Sequence, residues 1–336
     1  MSLLPDHVFV VCEAGVTNYG EPELAHAQVD AAADARCDAV KFQAWRTRNL
    51  VSERVAERLS DELGRNWFER MASRELPYAE LRNLQEHAHQ RGLTYFATPH
   101  DVESLEFLAE ELDVPWLKVG SGEANNWSFL ERVGAAGKAV LVAFGMQSDD
   151  EAKRAVDVLG SAGAAEVVAL HTVSVYPTPP ELVGLRRLTV LQDVLDVPVG
   201  ISDHTVGRHI PLAAVALGAC AIEKHLTFDK SDGRSLDNPG ALEPAEFATF
   251  VEEVRELERA LAPAAERGER DAGDWALQAV VAARPLSVGD VLRETDVAFK
   301  RPGRGGVPAS RVGELLGRTL RVDVPEDEQV LVEHLD

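Results

Sequence analysis

The chain has 336 residues, 45% of them apolar and 27% charged, which suits two domains, or one large barrel plus a small appendage, and is too apolar for a disordered segment. Its 34 Lys and Arg face 56 Asp and Glu, a formal charge of −22 that repels phosphate backbones and anionic lipid, so neither nucleic acid nor membrane is expected as a main partner. Three scattered cysteines, Cys12, Cys37 and Cys220, exclude a disulfide scaffold and a thiolate zinc site and fit a reducing compartment. The first residues lack the basic and apolar pattern of a signal peptide, and no run approaches a membrane span, so a cytoplasmic protein is expected.

In chain order, short β-branched apolar runs alternate with Ala/Leu/Glu/Arg-rich helical stretches. The runs are His7–Gly15, Ala39–Trp45, Thr94–Pro99, Trp116–Gly122, Ala139–Met146, Val167–Ser174, Val197–His204 and Ala221–Phe228. Unalternated apolar runs suit parallel strands buried on both faces, and helices between them suit βαβ units. Eight such units in about 230 residues predict an α/β fold, a (β/α)8 TIM barrel. A doubly wound sheet is the runner-up, but the first strand is not followed by GxGxxG. The barrel is expected over residues 1–262, a charged Ala/Gly-rich linker over 263–275, and a small mostly-β domain over 276–336. About 60 residues is marginal for a stand-alone core, so that domain is expected to lean on another surface.

A (β/α)8 barrel carries its site at the C-terminal ends of the strands. Seven of the eight runs end in polar residues there: Glu13; Lys41 and Gln43; Thr98 and His100; Lys118, Ser121 and Glu123; His171 and Ser174, with Tyr176; Ser202, Asp203 and His204; Glu223, Lys224 and His225. Lys41 and Lys118 with the hydroxyls of Thr98, Ser121 and Ser202 form a candidate anion cradle. The plainer reading pairs the lysines with Glu13 and Glu123, and both can hold at once. His204 and His225 end adjacent strands about 4.8 Å apart, so they are either core histidines or two ligands of an open divalent-metal site. His171 is expected to support that pair rather than join it. Trp45, Trp116 and Trp127 are expected to pack helices on the barrel, and Cys12 to point away from its axis if Glu13 points in.

The segments Val40-Lys41-Phe42-Gln43, Lys118-Val119-Gly120-Ser121-Gly122-Glu123, Tyr176-Pro177-Thr178-Pro179, Gly200-Ile201-Ser202-Asp203-His204-Thr205 and Glu223-Lys224-His225 resemble, in order and spacing, the sialic acid synthase (N-acetylneuraminate synthase) family. Lys300-Arg301-Pro302-Gly303 and its surroundings resemble that family's antifreeze-like (SAF) domain. The resemblance implies a transferase that condenses phosphoenolpyruvate with the aldehyde of an N-acetylmannosamine-like aminosugar, giving a nonulosonic acid and phosphate. It implies that Lys41, Thr98, Lys118, Ser121, Tyr176 and Ser202 hold phosphoenolpyruvate, with Glu13, Lys41 and Lys118 catalytic. His204 and His225 would hold Mn2+, with Mg2+ or Co2+ as alternatives. Gln43, Glu123 and Asp237 would face the sugar, and Arg301 would reach it from the other subunit of a domain-swapped homodimer.

Three positions depart from the family pattern. Gly15-Val16-Thr17-Asn18-Tyr19-Gly20 stands where Gly-x-Asn-His-x-Gly is usual, Ala143-Phe144-Gly145-Met146 stands for Ser-Thr-Gly-Met, and Ser174 stands for Asn. The strand-five change is expected to remove hydroxyls from the cradle and add a ring. Alternatives are the same condensation on a divergent aldehyde, a 3-deoxy-ulosonate phosphate synthase (disfavoured by the C-terminal domain), or a non-catalytic sugar-binding protein.

Overall fold

A computed structural model describes residues 2–63, 67–263, 272–273, 275–301, 303 and 305–336. The chain divides into two compact units, Met1–Ala262 and Pro263–Asp336. Most of the expected linker, and Pro302, lie outside the described residues.

In the first unit eight parallel strands close into a barrel in sequence order: β1 Phe9–Glu13, β2 Ala39–Ala44, β3 Thr94–Pro99, β4 Trp116–Val119, β5 Ala139–Phe144, β6 Glu166–His171, β7 Val199–Asp203 and β8 Ala221–His225. β8 pairs back onto β1, with Glu13 abreast of His225. Most strands stop short of the runs read from sequence, because the last residues of those runs already belong to the turns above the barrel. After β4, for example, the Ala124 amide donates to the Gly120 carbonyl.

The helices follow from spacing. Helix Tyr78–Gln90 buries Leu81, Leu84 and Ala88, one stripe at i, i+3 and i+7. Helix Asp149–Ala162 starts at a capping box between Ser148 and Glu151 and stops at Gly163, whose φ of 114° suits glycine.

Side chains alternate along each strand, so the residues two and four below the site residues fill the barrel interior. Phe9 of β1 stacks on Phe96 of β3 at 6.5 Å and on Trp116 of β4 at 5.6 Å between ring centroids. Rings from non-neighbouring strands can meet only inside the barrel, so these three form its floor. Trp116 is therefore an interior residue, not the helix-to-barrel spacer expected. Trp45 is buried, donating to Thr47, and Trp127 lies under the Arg154 guanidinium. Cys12 is fully buried beside Cys37, and that burial pushes its thiol well up.

The second unit has its own buried cluster, including Val280, Leu286, Leu292, Leu315, Leu320 and Val330. β9 Ala279–Ala282 and β10 Val297–Lys300 form an antiparallel pair. Isolated bridges such as Leu286 to Val324 and Val281 to Gln329 extend the pairing. Among the described residues, no helix is long and apolar enough to cross a membrane.

Candidate active site

Above the aromatic floor, a pocket of about 340 Å³ opens at the C-terminal ends of the strands. It gathers Glu13, Lys41, Gln43, Thr98, Lys118, Ser121, Glu123, Tyr176, Ser202, His204, His225 and Asp237, from positions far apart in the chain.

Two buried ammonium groups dominate its base. Lys41 lies 2.7 Å from Glu13 and 3.8 Å from Glu223, and donates to Thr98 at 2.9 Å. Burial would push Lys41 down, but Glu13 and Glu223 outweigh it and hold the group above its ordinary value. Lys118 donates to both oxygens of Glu223 at 2.9 Å. Burial wins there, aided by repulsion from Lys41, so Lys118 sits below its ordinary value. Glu223 also accepts from Ser202 at 2.8 Å, and against its own burial the two lysines hold it well below the usual carboxylate range.

Of the plainer expectation that the lysines pair with Glu13 and Glu123, the structure shows the Glu13 part, with Lys41, and corrects the Glu123 part, since Lys118 pairs with Glu223. Glu123 instead accepts from His100 at 2.9 Å, while Gln43 donates to Glu13 at 2.9 Å and meets His100 at 3.3 Å. Glu223, the hub of both lysines, was noted at a strand end but given no role, as was His100. The signal was alternation: Glu223 and His225 are two apart on β8, so they share the inward face. Lys224 points the other way into a buried pair with Asp203 and the Thr205 carbonyl at 2.5 Å.

His204 and His225 face each other with ring centroids 5.4 Å apart, and Tyr176 lies on His204 at 4.1 Å. His204 Nδ1 contacts the Val173 carbonyl at 2.8 Å, which fixes the tautomer and leaves Nε2 its lone pair. Burial and the neighbouring His225 push His204 down to about 3, so it stays neutral. His225 Nδ1 is buried without a hydrogen-bond partner, 4.0 Å from Asp237 Oδ2. A neutral His204 facing His225, whose buried Nδ1 has no hydrogen-bond partner, fits a divalent cation. Among the described residues no third His, Cys, Asp or Glu completes a cage, so the site would be open to substrate. His171 does not support this pair: its Nε2 bonds the Val183 carbonyl at 2.8 Å, and Thr172 contacts His204 instead.

The departures from the family pattern resolve unevenly. Phe144 is fully buried and absent from the pocket wall, so it adds no ring there; Ala143 and Ser174 do line the pocket. Thr17 and Asn18 brace the β1 turn by bonding the Leu226 and Gly15 carbonyls. A Cβ on Gly145 would lie 2.4 Å from Ser174 Oγ and 2.9 Å from Ser121 Oγ. Gly145→Ala should therefore cost about 1–3 kcal/mol in urea denaturation and displace both hydroxyls. Arg301 is exposed in the second unit.

Residues 28–266 match the NeuB family and residues 278–336 the SAF domain. The chain is 32% identical to N,N'-diacetyllegionaminic acid synthase of Campylobacter jejuni, covering 96% of this chain and 98% of that one. It is 31% identical to human N-acetylneuraminate-9-phosphate synthase, covering 98% and 92%. Among solved structures it resembles the N-acetylneuraminic acid (sialic acid) synthetase of Leptospira borgpetersenii, at 31% identity and a TM-score of 0.70 over 80% of this chain and 90% of that one. With a closed eight-stranded barrel, a SAF domain and these relatives, the chain belongs to the NeuB family of carbon–carbon bond-forming synthases.

Proposed function

We propose that the pocket condenses phosphoenolpyruvate with the open-chain aldehyde of an N-acylated aminosugar of the N-acetylmannosamine type, giving a nonulosonic acid and inorganic phosphate. The observation that carries this reading is the meeting of two buried ammonium groups and two facing imidazoles in one pocket. The ammonium groups suit a trianionic substrate, and the imidazoles suit a Lewis acid.

In this reaction C3 of phosphoenolpyruvate bonds to the aldehyde carbon while the aldehyde oxygen takes up the electron pair. Positive charge develops at C2, water adds there and loses a proton, and the C2–O bond breaks to release phosphate. Lys41 and Lys118, with the Thr98, Ser121 and Ser202 hydroxyls, would hold the phosphate and carboxylate. Tyr176 would close the pocket over them. Glu13, beside Lys41, would stabilise the charge at C2 and take the water proton. Gln43, Glu123 and Asp237 would orient the sugar. His204 and His225 would hold a divalent ion, Mn2+ or Mg2+ or Co2+, which when bound polarises the aldehyde carbonyl.

The bare methyl of Ala143 in the pocket wall favours one second reading, the same condensation on a different aldehyde. The test is phosphate release with Mn2+ across N-acetylmannosamine, di-N-acetylated 6-deoxyhexoses, pentoses and hexoses, with and without chelator. Release that needs one sugar and stops on chelation supports the proposal, and the responding sugar separates the two readings. Release unaffected by any sugar or by chelation would sink both.

A further inference from the structure

His100 lines the reaction pocket, yet no step of the condensation uses it. It follows β3, and its backbone amide donates to the Ala44 carbonyl at 2.9 Å. Trp45 stands edge-on to its ring at 6.2 Å between centroids. Nδ1 lies 2.9 Å from Glu123 Oε1, and Nε2 lies 3.3 Å from Gln43 Oε1. Gln43 Nε2 in turn donates to Glu13 Oε1 at 2.9 Å, and Glu13 Oε2 lies 2.7 Å from Lys41. Glu123, His100, Gln43 and Glu13 thus form one continuous line of polar contacts.

The direction of this line follows from its ends. The Glu13 carboxylate accepts, so the Gln43 amide turns its N–H toward Glu13 and its carbonyl toward His100. A carbonyl also only accepts, so His100 Nε2 carries a hydrogen. At the other end, burial would push the Glu123 carboxyl up, but the His100 hydrogen bond and charge outweigh it and hold Glu123 below its ordinary value. An ionised Glu123 accepts as well, so His100 Nδ1 carries a hydrogen too. The remaining charged neighbours stand one step back: Lys41 beside Glu13, and Lys118 acting on Glu123. Asp101, next in the chain, is turned to the Ser104 and Arg46 amides.

We propose that His100 is a positioning residue for the condensation: protonated on both ring nitrogens and clamped by Glu123, it holds the Gln43 amide in the one orientation that donates to Glu13. The inference rests on the synthase reading for what Glu13 does there. With one oxygen held by Gln43 and the other by Lys41, Glu13 meets the water proton from a fixed direction. Without a donor at His100, the amide is free to turn its carbonyl onto Glu13, where two acceptors repel. His100 itself bonds neither Lys41 nor Lys118 among the described residues. Its loss should therefore fall on the chemical step rather than on phosphoenolpyruvate binding.

Two measurements test this. In long-range proton–nitrogen NMR of the full chain at neutral pH, both His100 ring nitrogens should be protonated, the signals being assigned by their loss in His100→Phe or His100→Gln. A ring with one bare nitrogen would overturn the clamp. In kinetics with Mn2+ and the responding sugar at saturation, His100→Phe keeps a ring and removes both donors. It should lower kcat about tenfold and change the KM for phosphoenolpyruvate by less than about twofold. In a Gln43→Ala background the same substitution should change kcat by less than about twofold, because the line is already cut. Losses that multiply would overturn the positioning role, as would an effect of His100→Phe confined to KM. Failure of every sugar, with both ring nitrogens protonated, would count against the synthase reading and keep the clamp. A bare nitrogen with turnover intact would do the reverse.

Discussion

Replacing Glu223 with alanine should cost about 3–5 kcal/mol of stability and abolish turnover, because it strands buried charge. Lys118 is 3% exposed, and Glu223 is its ion-pair partner on both oxygens. Without it two ammonium groups face each other with Glu13 alone to serve them. Glu223→Gln keeps the shape and one acceptor, so it should lose less. The effect also has a pH signature. Glu223 is held below its unfolded value, so its contribution is complete above the unfolded glutamate's ~4.3 and is lost as pH falls further. The gap between wild type and Glu223→Ala in urea midpoints should therefore be full at neutral pH and narrow below about pH 4. A gap that widens on acidification would contradict the buried-pair assignment.

Why Glu223 was assigned no role in the sequence bears on what a chain makes legible. The barrel is written in repetition: eight apolar runs separated by amphipathic stretches leave little choice of fold, and each run's polar end marks the mouth. Which polar residue meets which is another matter. Lys118 lies 5 residues from Glu123 but 105 from Glu223, and only barrel closure brings β4 and β8 to opposite walls of one pocket. Phe144 misled for a related reason. It stands where a hydroxyl residue is usual, yet its place on β5 turns it outward into the core while Ala143 faces the pocket.

His225→Ala should behave in the opposite way to the Glu223 variant, losing activity with little loss of stability. The His225 ring holds no hydrogen bond through Nδ1, and its ring partner Tyr176 keeps its closer contact with His204. The fold should therefore lose about 1 kcal/mol, the ordinary scale for a mouth residue. Carbonyl polarisation, by contrast, is worth several kcal/mol, so turnover should fall about 10³-fold or more. Chelation should mimic this in the wild type and add little in the variant. A His225→Ala enzyme with full chelator-sensitive activity would remove the imidazole pair from the account.

Carbon–carbon bond formation is the central claim, and [3-13C]phosphoenolpyruvate followed by carbon NMR tests it most directly. With the responding sugar and Mn2+, the labelled vinyl carbon should become a methylene bonded to the former aldehyde carbon of the sugar, in step with phosphate release. Appearance of the label as the methyl group of pyruvate, with the sugar unchanged, would show hydrolysis instead and contradict the account.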